Sequence, residues 1–84
     1  MAYELLLQPR ARKEFLVLPP DIVKKIAQAL HTLEQEPRSP QSIKLSGGGG
    51  YRLRVGDYRI LYEIDDVTKR VIVYRVKHRR EAYR

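Results

Sequence analysis

The stretch Tyr51-Arg52-Leu53-Arg54-Val55-Gly56-Asp57-Tyr58-Arg59-Ile60-Leu61-Tyr62 decides how this chain folds. Side chains alternate in character on both sides of Gly56-Asp57, and a two-residue turn of that composition joins antiparallel strands. The alternation predicts strands over 51–55 and 58–65. It puts Arg52 and Arg54 on one face of the first, with Leu53 and Val55 on the other. In the second strand Tyr58, Ile60, Tyr62 and Ile64 share one face, and Arg59, Leu61 and Glu63 share the opposite one. A turn over 66–69 leads to a third strand over 70–77, rich in β-branched residues, so the three form an antiparallel meander.

Upstream, the periodicity changes from two to that of a helix. Ile22, Ile26, Leu30 and Leu33 make one apolar stripe, with Ala29 beside it and Asp21 placed to cap the start; Pro37 and Pro40 bound its end. Ala11, Phe15 and Leu18 predict a shorter helix that begins at Pro9 and is stopped by Pro19-Pro20. The break between the two is short enough to make a helical hairpin. Residues 3–7 read as an opening strand. The stretch from Pro37 through Gly47-Gly48-Gly49-Gly50 reads as a flexible linker into the sheet, since the glycines lack the Lys-Ser/Thr ending of a phosphate loop. The expected fold is therefore α+β and occupies residues 1–84 as a single domain: one strand, a helical hairpin, then the meander, with the helices on one face of a single sheet.

Charge narrows the function. Seventeen Lys and Arg oppose ten Asp and Glu, a net of +7, and such a surface attracts polyanions. Residues 51–84 carry 10 basic and 5 acidic side chains, and eight of those cations are arginine, which suits forked contact with phosphate. Cysteine is absent, which excludes disulfides and thiolate chemistry and fits a cytoplasmic protein. No apolar run reaches the roughly 20 residues needed to span a bilayer, so no membrane role is expected. With two histidines, His31 and His78, and no grouped carboxylates, neither a metal nor a cofactor is expected. Asp65-Asp66 reads as turn chemistry and His31 as a helix-surface residue.

If the apolar sets pack under the helices, Arg52, Arg54 and Arg59 gather on the open face, where they repel unless an anion or acidic groups sit among them. Exposed arginines that only cover apolar surface with their stems are the plainer reading of the same pattern. The tail adds His78, Arg79, Arg80 and Tyr83: a histidine that can move a proton near neutral pH, and a tyrosine that can stack on a base or pin the terminus.

Taken together, the basic strand, the Gly56-Asp57-Tyr58-Arg59 turn and the His78-Arg79-Arg80-Glu81-Ala82-Tyr83 tail resemble the RelE/ParE superfamily of bacterial toxins, and its RelE-like branch in particular. The resemblance covers nearly the whole chain. It implies a microbial-RNase-like fold and a toxin that cleaves translated mRNA in the ribosomal A site, the RNA 2′-OH attacking the adjacent phosphate without a metal. It further implies that Arg52, Arg54, Arg59, Arg79 and Tyr83, with His78, form the active site. Arg59 and Arg79 would neutralise the pentavalent phosphate, and Arg52, Arg54, Arg75, Lys77 and Arg80 would hold RNA. RelE-like enzymes often have lysine where this chain has Arg52 and Arg54. Arginine stays protonated, which leaves the general acid and base open between His78 and Tyr83. The implied partners are mRNA, the 70S ribosome and a cognate antitoxin held in a hetero-oligomer. ParE-like members, which poison DNA gyrase, and a basic module that only docks an acidic partner are the rival readings.

Overall fold

The computed structural model describes residues 2–79. Strand β1 (Glu4–Leu7) is followed by helices α1 (Pro9–Leu16) and α2 (Pro20–Gln35), then β2 (Ser42–Lys44), β3 (Tyr51–Val55), β4 (Tyr58–Asp65) and β5 (Arg70–His78). The five strands form one sheet in the order β1-β5-β4-β3-β2. β1 runs parallel to β5 and every other pairing is antiparallel, so the α+β class holds, in a mixed sheet with one strand more than expected.

Both helices start on proline. Pro9 and Pro20 occupy the first helical turn, where a missing N–H leaves no bond unmade. This corrects the expected cap. Pro19 holds the cap position of α2, and Asp21 lies inside the first turn, where its charge meets the positive end of the helix dipole. The predicted stripe is otherwise the one that buries: Ile26, Leu30 and Leu33 pack with Ala11 of α1 against Leu53, Ile60, Tyr62, Val71, Val73 and Val76 of the sheet. Removing each large apolar side chain from water contributes roughly 1.5–3 kcal/mol, so this one face supplies most of the driving force. Tyr62 is wholly buried, and its hydroxyl donates to the Pro37 carbonyl at 2.6 Å, tying the chain beyond α2 to the middle of the sheet.

The expected linker contains the unforeseen strand. β2 lies antiparallel to β3, with Ile43 opposite Arg52, and the glycine run is the loop of that hairpin, closed by Leu45 N–H to Gly50 C=O at 2.8 Å. Gly50 has φ +85°, and a Cβ there would sit 2.3 Å from the Tyr62 carbonyl oxygen, so only glycine lets the loop pass this close to β4. The Asp65-Asp66 turn is built as turn chemistry: the Asp65 carboxylate accepts from the N–H groups of Val67 and Thr68. No helix among the described residues is long and apolar enough to cross a membrane.

Candidate phosphate-binding face

Residues directly opposite on neighbouring strands point to the same side of a sheet. On the helix side the rows are Leu53–Ile60–Val76, Tyr51–Tyr62–Val73 and Val55–Tyr58–His78. On the open side one row is Arg54–Arg59–Lys77, and the next is Ile43–Arg52–Leu61–Arg75. The first of these lines up three cations across three adjacent strands. Like charges opposite one another destabilise a sheet. Two like unit charges about 4 Å apart repel by about 1 kcal/mol in bulk water and by about 4 kcal/mol near a protein surface. An anion placed over the row reverses that sign.

Arg59 departs from the expected open exposure: at 4 % exposure it is buried, on the middle strand with Arg54 and Lys77 opposite it on either side. Arg54 is exposed, and its Nε donates to the Gly56 carbonyl at 3.2 Å, which leans the guanidinium toward the β3–β4 turn. Arg52 and Lys77 are half-buried. Arg79 leaves the strand beside that same turn. Its N–H donates to the Asp57 carbonyl at 2.6 Å and its guanidinium lies 3.8 Å from the Asp57 carboxylate.

Two expected site residues stand apart from this row. His78 is opposite Tyr58, on the helix side, with the rings edge to face at 5.1 Å. It lines a groove with Ile22, Lys25, Val55 and Asp57, so the sheet itself separates it from the cation row. Arg75 belongs to the open side by register, yet its guanidinium is gripped by Glu14 of α1, with Nε and Nη2 bonds of 3.0 and 2.7 Å to one carboxylate oxygen. Burial alone would push the Glu14 carboxyl up. The hydrogen bonds from Arg75 and the Val76 N–H, with the charges of Arg75 and Arg10, outweigh it and hold it below the ordinary range. Arg80 and Tyr83 lie outside the described residues.

Two residues matter more than the sequence suggested. Lys77 was expected only to hold RNA, but it stands directly opposite Arg59. The register depends on a β-bulge: Tyr62 pairs with Val73 and Leu61 with Arg75, so Tyr74 is an extra residue that shifts the parity of β5. Its hydroxyl donates to the Gly49 carbonyl, bracing the hairpin loop, and burial followed by the nearby Glu63 raises its pKa. Glu14 is not among the expected site residues, although the sequence carries a signal for it. It falls three residues after Ala11 and four before Leu18, so it is a carboxylate on the inward side of α1 and calls for a cationic partner. Among the described residues no three His, Asp or Glu side chains converge where a metal could be held.

A five-stranded mixed sheet backed by a helical hairpin is the fold that this chain shares with solved toxin structures. Over residues 5–83 the chain matches the model of the family described as ParE toxin of type II toxin-antitoxin system, parDE. The chain belongs to the RelE/ParE superfamily of type II toxin–antitoxin toxins. Toxin RelG of Mycobacterium tuberculosis is 35% identical over 86 residues, which take in 100% of this chain and 99% of RelG. The toxin–antitoxin complex RelBE2 of the same organism contains a chain that superposes with a TM-score of 0.84 at 32% identity, covering 94% of this chain and 100% of that one. The isolated Escherichia coli RelE toxin gives a TM-score of 0.82 at 28% identity, covering 92% of this chain and 84% of RelE.

Proposed function

We propose that this toxin is a metal-independent endoribonuclease that cuts mRNA in the A site of translating ribosomes. The observation that carries the reading is the row Arg54–Arg59–Lys77 on the open face. Attack by a 2′-OH on the neighbouring phosphate builds negative charge on the phosphoryl oxygens. Preformed cations at the place where that charge develops stabilise the transition state more than the ground state. Arg59, buried on the middle strand, is the group best held to do this, with Lys77 beside it, and Arg52 and Arg54 grip the backbone on either side. Arg79, at the end of the row, extends the grip to the next phosphate. The products are a 2′,3′-cyclic phosphate and a 5′-OH. The ribosome supplies the in-line bend of the message.

The toxin is expected to work in the cytoplasm and to be held inactive by a cognate antitoxin, as the RelBE complexes of its relatives suggest. An acidic segment over the cation row would neutralise it. A second reading, inhibition of DNA gyrase, is favoured by the family whose model the chain matches, which carries the ParE name. Primer extension on a reporter in a reconstituted translation system separates the two. New 5′ ends within codons, dependent on translating ribosomes, support the nuclease. An intact message, together with loss of gyrase supercoiling, supports the other.

A further inference from the structure

Among the described residues, β5 has no strand on its outer side beyond Val73. The parallel pairing with β1 ends at Leu7 opposite Val73, and Gln8 N–H closes it on the Val73 carbonyl at 2.9 Å. The remaining five residues of β5, Tyr74 to His78, form an edge, and this segment carries Lys77. An edge of that kind frays and slips in register more readily than a paired strand. Here the missing neighbour is replaced by one side chain. Glu14 Oε1 accepts from the Val76 N–H at 2.8 Å, where the carbonyl of a continued β1 would have stood, and Oε2 holds Arg75 at 2.7 Å. The pair is well shielded, with 17% of the Arg75 side chain and 21% of Glu14 exposed, so water competes weakly for these bonds.

We propose that Glu14 is a positioning residue for the phosphate-binding row, acting through the backbone of β5. Its carboxylate stands in for the absent strand, fixes the N–H of the residue just before Lys77, and keeps Lys77 in register with Arg59. Gripping Arg75 has a second effect: it engages that guanidinium with α1, so that Arg52 is the cation the neighbouring row offers to the phosphate. The proposal rests on the nuclease reading, and it concerns placement rather than contact with RNA.

The test is single-turnover cleavage of an A-site codon on programmed ribosomes, with saturating toxin, for wild type, Glu14→Gln, Glu14→Ala, Lys77→Ala and the Glu14→Ala/Lys77→Ala double variant. Small misplacements of a catalytic group cost on the order of tenfold to a hundredfold. Glu14→Ala should therefore slow cleavage about tenfold, and Glu14→Gln, which keeps an oxygen to accept from Val76, should recover to within about threefold of wild type. In the Lys77→Ala background the loss of Glu14 should cost less than about twofold, because nothing remains to be positioned. Hydrogen exchange at the Val76 amide gives a readout independent of activity: protected in wild type and Glu14→Gln, fast in Glu14→Ala. If Glu14→Ala does not fold, Glu14→Gln and the exchange at Val76 still decide. Unimpaired cleavage by Glu14→Ala, an undiminished cost in the Lys77→Ala background, a Glu14→Gln rate as low as that of Glu14→Ala, or an unprotected Val76 amide in wild type overturns the proposal. A wild-type protein that leaves the message intact overturns the nuclease reading itself, and is told apart by Val76 remaining protected.

Discussion

The two ends of the sheet use arginine in opposite ways. At the end holding the β4–β5 turn, each guanidinium meets an acid: Arg38 forks onto both oxygens of Asp66 at 3.2 and 2.7 Å, and Arg70 reaches Glu4 at 3.1 Å. Tyr3 donates to Asp66 as well, and Arg38 also donates to the Tyr51 hydroxyl, so this corner laces the N-terminus, the chain after α2 and two strands together. At the other end Arg54, Arg59 and Lys77 face one another across strands, and Asp57 meets Arg79 at 3.8 Å beside the turn. Charge matched locally holds the fold. Cations aligned in a row across three strands suit, in the nuclease reading proposed above, a ligand that brings the opposite sign.

Truncations should divide along the same line. The largest effect is expected for Arg59→Ala: cleavage of translated mRNA slower by about a hundredfold or more, the scale of removing one transition-state donor. Lys77→Ala should follow at about tenfold to a hundredfold. Its stability in urea should stay unchanged or rise by up to about 1 kcal/mol, because one repulsive pair is relieved. A clear loss of stability for Lys77→Ala would show that the row is structural and break the comparison.

The matched end should respond to pH and not to RNA. Hydrogen bonds from Arg38 and Tyr3 lower the Asp66 carboxyl from its ordinary 3.8 to about 2. A depressed carboxylate stabilises the fold fully above its unfolded value, and that contribution disappears as pH falls from about 4 toward 2. Acid unfolding should therefore begin at higher pH in Asp66→Asn, which has no such group to titrate, while its cleavage rate stays within about twofold of wild type. Glu14, also held low, adds in the same direction below the ordinary glutamate range. The smallest change is expected for Arg70→Ala. This exposed pair should contribute no more than about half a kcal/mol, measurable only as a slight shift of the urea midpoint.

Much of this organisation was legible in the residues. The strands flanking Gly56-Asp57 and the stripe of α2 were fixed by periodicity, because each buries one face against a large core and a one-residue slip would expose it. Ser42-Ile43-Lys44 was not legible. Three residues are too few to show alternation, and the pairing of β2 depends on the glycine loop folding back against β4. The bulge at Tyr74 was equally hidden, since nothing local distinguishes it from regular strand, yet it determines that Arg75 and Lys77 share the open face. Of the expected site, Arg52, Arg54 and Arg59 came together because alternation alone places them. His78 was assigned by its neighbours in sequence, and strand parity puts it through the sheet, beside Tyr58. The grip of Glu14 on Arg75 spans 61 residues, a separation that no local pattern encodes.

The central claim, that the cation row and not the acid-paired end performs the toxin's chemistry, is tested most directly by the rate of A-site codon cleavage on programmed ribosomes for wild type, Arg38→Ala and Arg59→Ala side by side. The account predicts cleavage by wild type, an Arg38→Ala rate within about twofold of it, and an Arg59→Ala rate lower by about a hundredfold or more. Arg59→Ala cutting as fast as wild type, or Arg38→Ala failing to cut while still folded, would contradict it.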